Sequence, residues 1–274
     1  MTTLVSMVVL MVASLGLLED VPPVPVSKAD TDRVSSSKVD EILTRLEKRS
    51  DGITDIRCTV RLREDDRLNL SERVKDGRIL FLIADPNPRF LVHFEKTRVD
   101  ETLGKQEWYL FDGYWLFQGL ERTERVTHRE IARQGESVDL FDIETAPFPL
   151  PFGQKKDKIL RHFDVRIVPP AKTDPTRTDH LVCVPKPGSR LERKYDKLEF
   201  FVREDLNLPV RVVATRNSGL EVITADFPNL SEKSINTGLT KKHFSQPREW
   251  KGYELTVEPL EPVKENPKPE STGS

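Results

Sequence analysis

Net charge is nearly absent from this chain. Its 274 residues carry 43 Lys and Arg against 45 Asp and Glu, a formal charge of −2, and no basic block rises out of the mixed signs. That excludes the electrostatic footprint with which proteins grip a phosphate backbone, and with it nucleic acid as a partner. Cysteine is scarce too: Cys58 and Cys183 are the only two, both in strand-like runs. They either pair in an oxidising compartment or remain two buried thiols acting as small hydrophobes. Catalytic signatures are missing, with no G-x-G-x-x-G, Walker A loop, H-E-x-x-H or G-x-S-x-G. The five histidines, His93, His128, His162, His180 and His243, lack metal-ligand spacing. Asp139, Asp142 and Glu144 either gather around a cation or end a solvated loop, and the second is the expectation. No catalytic activity, metal or cofactor is therefore expected.

Long apolar runs are also lacking, apart from Leu4 to Leu18. At about fifteen residues it is short of the ~20 that span a bilayer, and it suits the core of a signal peptide. Residues 1–18 are read as that segment and 19–37, with their prolines, as a linker. Residues 261–274, rich in Pro, Glu, Lys and Ser, cannot bury a core and are read as a disordered tail. The folded domain is then 38–260, in an exported protein.

What the chain does have is alternation. After one amphipathic helix with Val39, Ile42, Leu43 and Leu46 at helical spacing, the pattern turns to period two for most of its length. Ile56, Cys58, Val60 and Leu62 alternate with Arg57, Thr59, Arg61 and Arg63, a strand with one dry face and one wet face. The stretch EWYLFDGYWLFQGL, Glu107 to Leu120, places six aromatic residues in ten positions around Asp112-Gly113. That pair suits a two-residue hairpin loop. Tyr109, Phe111, Tyr114 and Leu116 then share one face, and Trp108, Leu110, Trp115 and Phe117 the other. Both faces are apolar, although an antiparallel sheet commonly leaves one face wet. Between Gln134 and Pro170 the alternation stops, and a Pro/Phe-rich loop leads into a short helix with Ile159, Leu160 and Phe163. This segment is read as a lid over the sheet. Nine to eleven strands with so few helices imply a curved sheet around a cavity, not a flat two-layer core.

The order of these elements resembles the LolA family of periplasmic outer-membrane lipoprotein carriers. The likeness runs through DPNPRFLVHFE, the hairpin followed by YWLFQGLERTERV, the segment FPLPFGQKKDKILRHFDV and the closing LPVRVVATRNSGLEVITADFPNL. It implies a mainly β fold: an unclosed antiparallel β-barrel of about eleven strands with an N-terminal amphipathic helix and a short helical lid. It also implies a monomeric, non-catalytic periplasmic carrier for acyl chains of lipoproteins or lipids, served by membrane-bound donor and acceptor proteins. The alternative is an envelope regulatory or scaffold protein that uses the same fold to bind a protein partner. In the carrier, an Arg beside the Pro of the first hairpin holds the lid; here Asp85 precedes Pro86, with Arg89 three residues beyond it. The lipid-lining residues expected are Phe90, Val92, Phe94, Trp108, Leu110, Trp115 and Phe117, closed over by Phe148 and Phe152. The other hairpin face, Tyr109, Phe111, Tyr114 and Leu116, is the alternative lining.

Overall fold

Alternating stretches of the chain become neighbouring strands of one sheet. The computed structural model describes residues 28–100, 102–138 and 155–261, with the side chains of the first helix described from residue 36. The expected signal segment, Phe148 and Phe152, the acidic trio at 139–144 and residues 262–274 lie outside the described residues. The N-terminal helix, α1, spans Lys28–Asp51, so the expected linker is helical from Lys28 onward. The strands are β1 (Asp55–Asp66), β2 (Ser71–Leu82), β3 (Arg89–Val99), β4 (Thr102–Leu103), β5 (Glu107–Phe111), β6 (Trp115–Leu120) and β7 (Arg125–Glu130). After a short helix α2 (Lys156–His162) come β8 (Phe163–Val168), β9 (Thr178–Pro185), β10 (Lys197–Arg203), β11 (Leu208–Arg216), β12 (Glu221–Asp226) and β13 (Glu254–Glu258).

All thirteen strands belong to one sheet in the order β13-β7-β6-β5-β3-β2-β1-β12-β11-β10-β9-β8, with β4 on β3. Its ends, β13 and β8, do not meet, so the expected unclosed antiparallel sheet is what forms. The exception to the antiparallel rule is β13, which lies parallel to β7. Among the described residues, no helix is long and apolar enough to cross a membrane.

The helix α1 buries Val39, Ile42, Leu43 and Leu46 against Leu181, Cys183, Leu198 and Phe200, at the β8–β10 end of one sheet face. The face under α1 is called the inner face below. Charge fastens the helix there: Arg45 donates to the buried Asp179 carboxylate at 3.0 Å, and Lys38 stands 3.6 Å from it. The helix α2, expected within a lid, lies beside α1, with Lys156 paired to Asp40 at 2.5 Å and Ile159 buried in the same cluster.

The aromatic hairpin turns one residue later than its sequence suggests. Asp112 is the residue before the turn: its side chain accepts from the backbone N–H groups of Tyr114 and Trp115, and Gly113 takes φ +109. Phe111 consequently pairs with Leu116, where a loop of Asp112-Gly113 would have paired it with Tyr114. The slip is by two residues. Because side chains alternate with period two, the face assignments of Leu116 and Phe117 survive it.

Both faces of that hairpin are dry for different reasons. On the inner face, Phe111 packs with Phe90, Phe81 and Ile56. On the outer face, Trp108, Leu110 and Phe117 are covered by the C-terminal segment through Leu239, Phe244 and Trp250. That segment starts beside β1, where Asn236 donates from its backbone to the Asp55 carbonyl, and ends as β13 on the far edge. It acts as a strap across the back of the sheet.

Candidate functional site

Register decides which side chains share the inner face. Across β1, β2, β3, β5 and β6 the chain aligns Ile56, Phe81, Phe90, Phe111 and Leu116 in one row. The next row is Cys58, Ile79, Val92, Tyr109 and Gln118, followed by Val60, Gly77, Phe94, Glu107 and Leu120. Continuing through β12, β11 and β10, Leu62 leads to Ala225, Val212 and Phe200. The result is an apolar surface that crosses nearly the whole sheet. The helices α1 and α2 pack on its β8–β10 end, and none of their residues joins the cluster centred on Phe90 and Phe111.

The expected lining is thereby divided. Phe90, Val92 and Phe94 do lie on the inner face, with Phe111 and Tyr109 as their cross-strand neighbours. Trp108, Leu110, Trp115 and Phe117 lie on the opposite face, under the strap. They cannot line one surface with Phe90. The alternative hairpin set is the one that belongs with Phe90, through Tyr109, Phe111 and Leu116, while Tyr114 sits in the turn. Nor do the three β3 residues face open space: Phe90 and Val92 are 0% exposed, and Phe90 stacks on Phe111 at 5.8 Å. Among the apolar inner-face residues, Leu62, Tyr109, Leu116, Val212 and Ala225 keep partial exposure. Apolarity and period two grouped the residues that share a face within each element, but gave neither the hairpin face that belongs with Phe90 nor the degree of exposure.

At the β2–β6 end the apolar surface gives way to a buried polar cluster. Lys75 donates to the Glu107 carboxylate at 2.9 Å, stands 3.7 Å from Glu64, and lies 5.5 Å from the centre of the Phe94 ring. The Tyr109 hydroxyl donates to Glu107 at 3.3 Å and accepts from Gln118 at 3.4 Å. Burial, reinforced by the neighbouring Glu107 charge, pushes the Tyr109 phenol up to about 12. A buried lysine persists because its carboxylate partner offsets the desolvation that an unpaired charge would suffer. None of Lys75, Glu107 and Thr97 was singled out in the sequence. The local pattern gave little signal, since the same-face neighbours of Lys75 along β2 are Arg73 and Gly77.

On the outer face, His93 stacks on Trp108 with ring centres 4.9 Å apart and its Nε2 lies 2.8 Å from the Gln106 Oε1. Burial lowers its pKa below the ordinary value, against the opposing effect of the Gln106 hydrogen bond. Arg89, the nearest arginine to Pro86, buries its Nε without a hydrogen-bond partner, and the Asp85–Pro86 peptide is cis. The two cysteines settle as separate buried thiols: Cys58 belongs to the Phe90 cluster and Cys183 to the α1 cluster, with β12, β11 and β10 between their strands. Among the described residues, no group of three or more His, Cys, Asp and Glu could hold a metal ion.

No protein-family model and no curated protein matches the chain. Solved structures do resemble it. LprF from Mycobacterium bovis matches 78% of this chain and 98% of its own, at 10% identity and a TM-score of 0.43. A LolA superfamily protein from Nitrosomonas europaea matches 76% of this chain and 97% of its own, at 13% identity and a TM-score of 0.32. The Pseudomonas aeruginosa MucA/MucB complex matches 77% of this chain and 62% of the other, at 14% identity and a TM-score of 0.35. The likeness to each is one of fold.

Proposed function

We propose that this protein is an exported, non-catalytic carrier that holds acyl chains of lipoproteins or lipids against the inner face of its unclosed sheet. One observation carries the reading: the apolar inner face is wider than the two helices packed on it, and Leu62, Tyr109, Leu116, Val212 and Ala225 on it keep partial exposure. An apolar surface that the described helices leave partly exposed suits a ligand without polar groups. Acyl chains fit because each buried methylene contributes about 0.8 kcal/mol, so affinity needs no charged anchor. Release would fall to a membrane-bound acceptor, and a monomer suffices for the binding.

Native mass spectrometry of gently purified full-length protein tests this. Discrete adducts of lipid mass, lost on organic extraction, are the expected result. A clean apo mass, with no uptake of added lipid, would overturn it.

A partner-binding module is the second reading, favoured by β13. All five of its residues are exposed, including Leu255 and Val257, and among the described residues one side of its backbone has no neighbouring strand. A sheet edge of this kind accepts an added strand. Recovery of a stoichiometric protein partner alongside a clean apo mass would favour it over the carrier.

A further inference from the structure

Beyond the acyl surface, a small cavity of 170 Å³ opens at the edge of the inner face, lined by Arg73, Thr97, Gly104, Lys105, Glu107 and Arg122 among others. At about 30 Å³ per water, its volume equals about six waters, enough for a tetrahedral anion. Three cations line it, Arg73, Lys105 and Arg122, beside the carboxylate of Glu107, and Lys75, Glu64 and Glu121 are ion-pair partners of these lining residues. Lys75 is engaged by Glu107 and Glu64, Arg73 by Glu64 at 3.2 Å, and Lys105 by Glu121 at 3.7 Å. Among the described residues, no carboxylate pairs with the exposed Arg122.

A second observation is independent of charge. Thr97 is 5% exposed, lines the cavity, and its Oγ1 is buried with no hydrogen-bond partner among the described residues. A buried hydroxyl left unsatisfied loses its hydration without recompense, so such groups are uncommon unless something binds them. The backbone crowds this spot: Gly104 donates its N–H to the Thr97 carbonyl at 2.7 Å, and a Cβ on Gly104 would sit 3.1 Å from the Thr97 Cβ.

The placement points to an amphiphile. Phe94 and Glu107 are direct cross-strand neighbours, so the apolar rows end where the cavity begins. We propose that the cavity binds the phosphate group of a lipid whose acyl chains lie on the inner face, with Thr97 Oγ1 donating to a phosphate oxygen and Arg122 supplying the unpaired charge. This rests on the carrier reading and narrows its ligand to phosphate-bearing lipids.

The test compares phosphatidic acid, diacylglycerol with the same chains, and inorganic phosphate, each titrated against the full chain and against Thr97→Val and Arg122→Gln. Arg122 is exposed and Thr97→Val removes an unpartnered hydroxyl, so both variants should fold. The expected result is phosphatidic acid binding at least tenfold tighter than diacylglycerol, with that advantage reduced at least threefold in each variant and diacylglycerol binding unchanged. Equal binding of the two lipids, unaffected by either substitution, would overturn the head-group site and leave the carrier reading intact. Binding of inorganic phosphate alone would overturn both.

Discussion

The indole of Trp250 lies on the bare backbone of Gly119, so close that a Cβ on that glycine would come within 2.4 Å of Trp250 Nε1. This contact seats the strap. Trp250 meets Trp108 edge-on at 6.3 Å and stacks near Phe117 at 6.3 Å, closing the outer face of the hairpin. Gly119→Ala should therefore push the indole out of its seat and destabilise the protein by about 2–4 kcal/mol, more than overpacking alone because the strap lifts with it. Trp250→Ala should cost about 3–5 kcal/mol. The two should not add: once Trp250 is gone, alanine at 119 has nothing to strike, and the double variant should match Trp250→Ala. Denaturant unfolding of the four proteins checks this, and additive effects would show that the contact is not what positions the strap.

The other end of the strap is tied by Asp55. Its buried carboxylate accepts from the Thr237 N–H at 2.7 Å, the Thr237 hydroxyl at 2.6 Å and the Gly238 N–H at 3.0 Å. Burial alone would raise its pKa, but these donors outweigh burial and hold it below the ordinary carboxylate value. A depressed folded pKa means the stabilisation is complete above the unfolded value of about 3.9 and is lost as pH falls through the folded one. Asp55→Ala should cost about 1–3 kcal/mol at pH 7 by leaving those donors unmet. The gap between wild type and variant should narrow below about pH 4. A melting-temperature difference that stays constant from pH 7 to pH 2 would contradict the role assigned to this charge.

How far the sequence discloses this architecture depends on whether parity can be counted. Along β1 and through the aromatic hairpin, each residue fixes the face of the next, and a slip of two residues in the turn left Leu116 and Phe117 correctly assigned. Between β3 and β5 counting fails. The pairing of β2 with β3 shifts at Asp76/Gly77, and β4 and the Gly104–Gln106 connection intervene before Trp108. Nothing local says whether Phe90 faces with Trp108 or with Phe111. The strap was hidden for another reason: Leu239, Phe244 and Trp250 follow neither helical nor strand period. Its trace was Gly119, since a glycine inside an aromatic strand marks a close approach. The same blindness affects Thr97, because an unmet hydroxyl is visible only once its surroundings are placed.

The thiols offer a direct check on the inner packing. Burial pushes both Cys58 and Cys183 up to about 12. At pH 8 the thiolate fraction would then be about 10⁻⁴, and the thiolate is the reactive form. Neither cysteine should react with a disulfide-exchange reagent in the native protein, and two thiols should appear on denaturation without reductant. Zero thiols after denaturation would mean that the two are bonded and that the β1-to-β9 separation is wrong.

The inner face itself is tested by one substitution in its packed part and one in its accessible part. Phe90 has no exposed surface and stacks on Phe111, so Phe90→Glu places an unpaired charge in a solid core and should destabilise the fold by several kcal/mol. Leu116 occupies the same row but keeps partial exposure, and its cross-strand neighbour is Arg129. A glutamate there has both water and a cation within reach. Leu116→Glu should thus keep its β-type circular dichroism and lose no more than about 2 kcal/mol of stability. Its affinity for a fluorescent acyl probe should fall at least tenfold, equivalent to about 1.4 kcal/mol, because the charge now stands where a chain would lie. Wild-type probe affinity in a folded Leu116→Glu variant would place the acyl site elsewhere. A Phe90→Glu variant of full stability would mean that the row is open to water along its whole length.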